Sequence, residues 1–186
     1  MEKPNNEDSL FIERFLGGET GGFEELVRKY QDRVLNIVYS LIGKDRECED
    51  IAQEVFLKVY HNLGSFRQRS QFSTWLYRIA VNATYDFLRR RRNFLDEEVS
   101  PENIAAGSDG PREALSKREK EAALKTALAA VPLEYRTALV LKDIEGLSYA
   151  QIAQVLGCRM GTVESRIYRA RQILKEKLLK GREEAA

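Results

Sequence analysis

Cysteine and histidine are nearly missing from this chain. Cys48, Cys158 and His61 are the whole supply, and they lie too far apart in sequence to suggest a disulfide framework or a structural zinc site. Both thiols are expected to be buried and reduced, as in a cytoplasmic protein. No apolar run approaches the roughly 18 residues of a membrane span, and the N-terminus is polar and acidic, so neither secretion nor membrane insertion is expected. An excess of charge of one sign is lacking too. Against 30 Lys and Arg stand 29 Asp and Glu, a net charge of +1, so affinity for a polyanion must come from local patches. Paired carboxylates, a nucleophile motif, a phosphate loop and a metal-ligand cluster are all missing, and His61 sits beside Tyr60 with no evident partner. Neither catalysis nor a cofactor is expected.

What is present is helical periodicity. No segment alternates as a strand would, and helices are expected at about 7–17, 21–42, 45–63, 71–92, 112–130, 133–144, 148–156 and 160–180. With 186 residues, 43% hydrophobic and 32% charged, the chain is able to build one or two modest cores. The periodicity lapses from Asn93 to Pro111, which contains Ser100-Pro101, Gly107 and Ser108-Asp109-Gly110-Pro111 and reads as a linker. Asp96, Glu97, Glu98, Glu102 and Asp109 make it acidic, directly after the basic run Arg89 to Arg92. The expected fold is all-α: two helical domains, 1–95 and 112–182, joined by a flexible acidic linker over 96–111 that leaves them without a fixed spacing.

The stretch from Leu147 to Arg171 reads as two short helices broken at Gly157, a helix-turn-helix. Ile152, Val155 and Leu156 form the apolar stripe of the first helix, with Ala153 small enough for close contact. Val163, Ile167, Ala170 and Leu174 form that of the second. Ser165, Tyr168, Arg169, Gln172 and Lys175 fall opposite. Arg and Ser hydrogen-bond base edges or phosphates, Tyr offers an aromatic face, and the helix N-terminus at Gly161-Thr162 suits a phosphate. A solvated basic face on an ordinary helical hairpin is the plainer alternative.

In the first domain, Leu76, Ile79, Ala80, Ala83 and Phe87 make a buried stripe, which leaves Trp75, Arg78, Asn82, Tyr85 and Arg89 on the outward side. Aromatics interleaved with basic residues suit single-stranded nucleic acid, the rings stacking on bases and the arginines following the backbone. Trp75 is equally readable as a core residue at a helix start, and Arg89 to Arg92 as a solvated helix end. One helix earlier, Asp50, Gln53, Glu54 and Leu57 share an outward face, an exposed apolar residue ringed by acids, in the manner of a protein-docking patch.

Asp50-Ile51-Ala52-Gln53-Glu54-Val55-Phe56, Phe72-Ser73-Thr74-Trp75-Leu76-Tyr77-Arg78-Ile79-Ala80 and Gly161-Thr162-Val163-Glu164-Ser165-Arg166 together resemble regions 2 and 4 of an extracytoplasmic-function sigma factor of the sigma-E type, in order and over essentially the whole chain except its tails and linker. The resemblance implies a factor that binds core RNA polymerase and directs it to promoters, probed at −10 and −35 elements, in a stress or envelope response and under control of an anti-sigma protein. By that resemblance Asp50, Gln53 and Glu54, with Leu57 beside them, contact the clamp helices of the polymerase's largest subunit. Arg67 in the Ser65-to-Gln71 loop joins Trp75, Arg78, Asn82 and Arg89 at the −10 element, where a base is flipped out and read. Thr162, Glu164, Ser165, Arg166, Tyr168 and Arg169 meet the −35 element in the major groove, and the acidic linker takes the path of nascent RNA.

Two positions depart from the family pattern. Glu164 stands where the sigma-E type often has a basic residue, which argues against a phosphate or guanine contact there; a carboxylate favours a cytosine amino group or repels the backbone. Leu76 follows Trp75 where principal sigma factors carry a second aromatic, which implies weaker duplex opening and stricter dependence on promoter sequence. The competing reading is an autonomous helix-turn-helix regulator, which leaves the Trp75 and Asp50 faces without a use.

Overall fold

A computed structural model describes residues 6–43, 46–68, 70–97 and 123–183. The described residues are helical with connecting turns: α1 (Asn6–Leu16), α2 (Gly21–Ile42), α3 (Glu47–Asn62), a short 3-10 turn (Leu63–Ser65), α4 (Phe72–Glu97), α5 (123–129), α6 (Leu133–Leu139), α7 (Tyr149–Leu156) and α8 (Met160–Glu183).

The first four helices form one unit. Along α2 the buried Leu26, Tyr30, Val34, Ile37, Val38 and Leu41 recur at helical spacing. α1 crosses α2 closely at Gly22, where a Cβ would lie 2.4 Å from the Phe11 carbonyl oxygen. The crossing is pinned by buried Asp8, whose carboxylate accepts from Lys29 Nζ and the Tyr30 hydroxyl, each at 2.7 Å. Burial among these neighbours pushes the Tyr30 phenol above its ordinary pKa. α2 stops at Gly43, whose φ of 94° suits a residue without a Cβ.

The second unit runs from α5 to α8. The expected helix over 133–144 is α6 followed by a widened π turn, Val140–Ile144, which buries Val140 and Leu141 side by side and leaves Ile144 exposed. Ser148 caps α7 reciprocally with Gln151. Gly157 (φ 61°) ends it in the left-handed conformation, and that corner aims α8. The anticipated stripe of α8 is buried at Val163, Ile167 and Ala170 and half-buried at Leu174.

Two findings revise the sequence reading. α4 continues to Glu97, past the expected linker start at Asn93, because no helix breaker precedes Pro101. The remaining linker and the expected helical residues 112–122 lie outside the described residues. The two units also have a defined placement instead of lacking fixed spacing: α4 packs on α7, and one buried cluster runs from Val34 and Leu76 to Leu141, Ile152 and Ile167. Polar ties cross the seam. Tyr85 Oη meets Thr137 Oγ1 at 2.8 Å and Gln151 Nε2 donates to Gln71 Oε1 at 3.2 Å, while Glu145 of the second unit comes within electrostatic reach of Tyr77, whose hydroxyl accepts from Arg33 at 3.5 Å within the first. Burial raises the Tyr77 phenol to about 12 and moves Glu145 above the usual carboxylate value.

Candidate nucleic-acid interface and docking face

α8 presents its polar face as expected. Glu164, Ser165, Tyr168, Arg169, Gln172 and Lys175 are all exposed, Tyr168 by 66%. Thr162 is half-buried near the helix start, and its carbonyl accepts from the Ser165 hydroxyl at 3.0 Å. Arg169 donates to the Tyr135 hydroxyl at 3.0 Å. Arg166 differs from its neighbours: its side chain is only 24% exposed, and Nη2 pairs with Glu134 at 2.9 Å. It is turned toward α6 instead of sharing the outward face fully.

A second interface forms where the loop before α4 meets that helix. Phe66, Arg67, Thr74, Trp75 and Arg78 line a cavity of about 310 Å³ together with Ser65, Ser70 and Gln154. Trp75 settles between the two readings given it. Its ring centroid lies 5.2 Å from that of Phe66 and 5.9 Å from that of Phe72, yet one side stays on the cavity. Gln68 beside Arg67 has φ 51°, a costly value for a residue with a side chain, so the loop is held in a specific shape. Asn82 is exposed one turn beyond Arg78, and exposed Arg89 pairs with Asp86 at 2.9 Å. Tyr85, expected outward with them, instead faces the second unit through Thr137.

Sequence reasoning missed two members of this cavity. Thr74 is 3% exposed and its hydroxyl has no partner among the described residues. Such a buried oxygen is costly unless a water or a ligand satisfies it. Its burial was foreseeable only from the loop folding over it. Gln154 comes from α7, so the cavity wall is completed by the other unit; no local pattern carries that signal.

On α3, Asp50, Gln53 and Leu57 are exposed, Leu57 by 60%, and Glu54 is half-buried. Glu54 is tied to Lys58 at 2.7 Å and to Arg90 of α4 at 3.9 Å. The four share one face, as their spacing requires. Beside them runs an apolar groove of about 500 Å³ between α2 and α3, floored by Val27, Leu35 and Phe56 and edged by Leu57, Gln53 and Asp32. The half-buried Leu35 and Phe56 were overlooked because each helix alone presents them as ordinary core.

Residues 26–94 match the Sigma-70 region 2 family, and residues 121–174 match Sigma-70 region 4. Over 181 residues the chain is 38% identical to the RNA polymerase sigma-H factor of Pseudomonas aeruginosa, covering 92% of this chain and 94% of that one. It is 36% identical to the extracytoplasmic-function sigma factor SigW of Bacillus subtilis, covering 90% and 94%. The chain belongs to the extracytoplasmic-function sigma factors. Region 2 thus contains most of α2, all of α3 and α4 up to residue 94, while region 4 contains the helix-turn-helix. Among solved structures, the sigma factor is similar to CnrH in its complex with the cytosolic domain of CnrY (TM-score 0.72, 26% identity, 95% of this chain and 99% of that one). It is also similar to RpoE of Bartonella quintana, bound to the anti-sigma factor NepR (TM-score 0.70, 28% identity, 85% and 96%). Among the described residues no helix is long and apolar enough to cross a membrane, and no cluster of metal-ligating side chains occurs.

Proposed function

We propose that this sigma factor docks on core RNA polymerase through Asp50, Gln53, Glu54 and Leu57 of α3. It then brings the enzyme to promoters whose −10 element meets Arg67, Trp75, Arg78, Asn82 and Arg89, and whose −35 element meets α8. The division of labour follows 1–95 for core and −10 binding and 112–182 for −35 binding, with 96–111 between them. It acts in the cytoplasm, without catalysis or a cofactor of its own, and an anti-sigma protein holds it in check, as the solved relatives bound to such partners suggest.

The observation that carries this reading is the coexistence of two unlike nucleic-acid faces on one chain. One is a base-sized cavity with an aromatic wall, two arginines and an orphaned hydroxyl, suited to an unstacked base. The other is a helix face of Ser, Tyr and Arg suited to a duplex groove. A regulator that binds DNA alone needs only the second. In the packed arrangement α7 contributes Gln154 to the wall of the first face, and the polymerase supplies the scaffold that sets the spacing at which both elements are engaged together.

Gel-shift titrations of a promoter with both elements, using the free protein and the protein with core polymerase, test this. Far tighter binding with core is expected. Equal promoter affinity with and without core would overturn the sigma-factor reading and favour an autonomous regulator.

A further inference from the structure

We propose that Tyr135 is a positioning residue for −35 recognition, holding Arg169 in the orientation that reads the major groove. This rests on the reading of α8 as the recognition helix. α6 begins behind Pro132, whose carbonyl accepts from the backbone N–H of both Tyr135 (3.0 Å) and Arg136 (2.9 Å), so its first turn is fixed. From that turn the consecutive side chains of Glu134 and Tyr135 reach across to α8 and hold Arg166 and Arg169 respectively.

The two arginines are held in different ways. Glu134 forms an ion pair with Arg166 at 2.9 Å, so a phosphate must displace a carboxylate before it can use that cation. Tyr135 is a neutral acceptor. Its hydroxyl takes one N–H from Arg169 Nη1 at 3.0 Å, while the guanidinium carbon lies 5.8 Å from the ring centroid. A guanidinium carries several N–H donors, and this bond uses one. The fork that grips guanine O6 and N7 remains available. The exposed Arg169 side chain would otherwise sample many rotamers, and ordering it on DNA costs free energy. Tyr135 lowers that cost by selecting one conformation beforehand.

Tyr135→Phe tests the role, because it removes the acceptor and keeps the ring. The probe is a duplex library with a fixed −10 element and a randomised −35 element, bound by the full chain with core polymerase, followed by single-base variants of the selected sequence. The expected result is a loss of about three- to tenfold in affinity for the selected sequence. The loss should be confined to one −35 base, so that discrimination there falls by the same factor. It should also vanish in an Arg169→Ala background. An equal loss on every −35 sequence, or a loss that persists undiminished without Arg169, would overturn the proposal. Arg169→Ala alone separates the two levels of inference. If it leaves −35 discrimination intact, the recognition-helix reading fails; if it abolishes discrimination while Tyr135→Phe changes nothing, only the positioning role fails.

Discussion

Tyr85 donates its hydroxyl proton to Thr137 across 2.8 Å, from α4 of the first unit to α6 of the second. The direction is set by Thr137, whose own proton goes to the Leu133 carbonyl at 2.7 Å. The phenol's burial raises its pKa, so the bond keeps its donor through the neutral range. Tyr85→Phe should therefore loosen the seam by about 1 kcal/mol while each unit stays folded. Energy transfer between labels on α1 and α8 checks this: a lower closed fraction with unchanged helicity is expected, and an unchanged closed fraction counts against it.

Acidity should tighten the same seam. Burial raises the Glu145 carboxyl, and this outweighs the opposing effects of nearby Tyr77 and Arg33. A group whose pKa is raised in the packed form favours that form below its ordinary pKa and loses the contribution as pH rises through the raised value. The closed fraction should thus fall as pH climbs through that interval. Glu145→Gln should flatten the dependence and keep the seam closed at neutral pH, as read by the same energy transfer; an unaltered pH profile would remove Glu145 from the account.

Reversing the charge of Asp50 and Glu54 together to Lys should weaken core-polymerase binding by about tenfold or more, since charge complementarity steers and holds such interfaces. Both side chains reach solvent, so circular dichroism should not change. Loss of the Glu54 bridges to Lys58 and Arg90 costs little, because the carboxylate end of this half-buried residue is open to solvent. Competition for core against the parent protein measures the effect, and equal competition would exclude this face.

Asn82→Ala should reduce discrimination at a single −10 base by about 1–3 kcal/mol without affecting −35 preference or core binding. Asn82 is exposed and bears no packing load. If activity drops evenly on all −10 variants, its contribution lies elsewhere than in base reading.

Much of the architecture was legible from periodicity. Val163, Ile167 and Ala170 face the core because their spacing leaves no alternative, and Ser148 and Gly157 bracket α7 through local chemistry that a sequence displays directly. Along α4 the limit of that reasoning appears. Leu76, Ala80 and Ala83 were expected inside, whereas Tyr77, Val81 and Thr84 are buried too. Tyr77 is covered by Tyr30 and Arg33 of α2, and α4 is further enclosed by α7, from a unit far away in sequence. Docking of the second unit turned Tyr85 toward Thr137 and added Gln154 to the cavity, while packing of α8 on α6 within that unit drew Arg166 toward Glu134. The π turn escaped for a different reason: inserting one residue into a helical turn shifts the apolar phase too little to see in so short a segment.

The placement of Trp75 gives the protein a built-in optical reporter. It is the chain's single tryptophan, and its ring borders the cavity that Gln154 completes. Indole emission responds to the polarity of its surroundings and is quenched by a stacked base. One unlabelled chain should therefore signal separation of the units and, at the proposed −10 face, arrival of DNA, with no other indole in the chain to obscure either change.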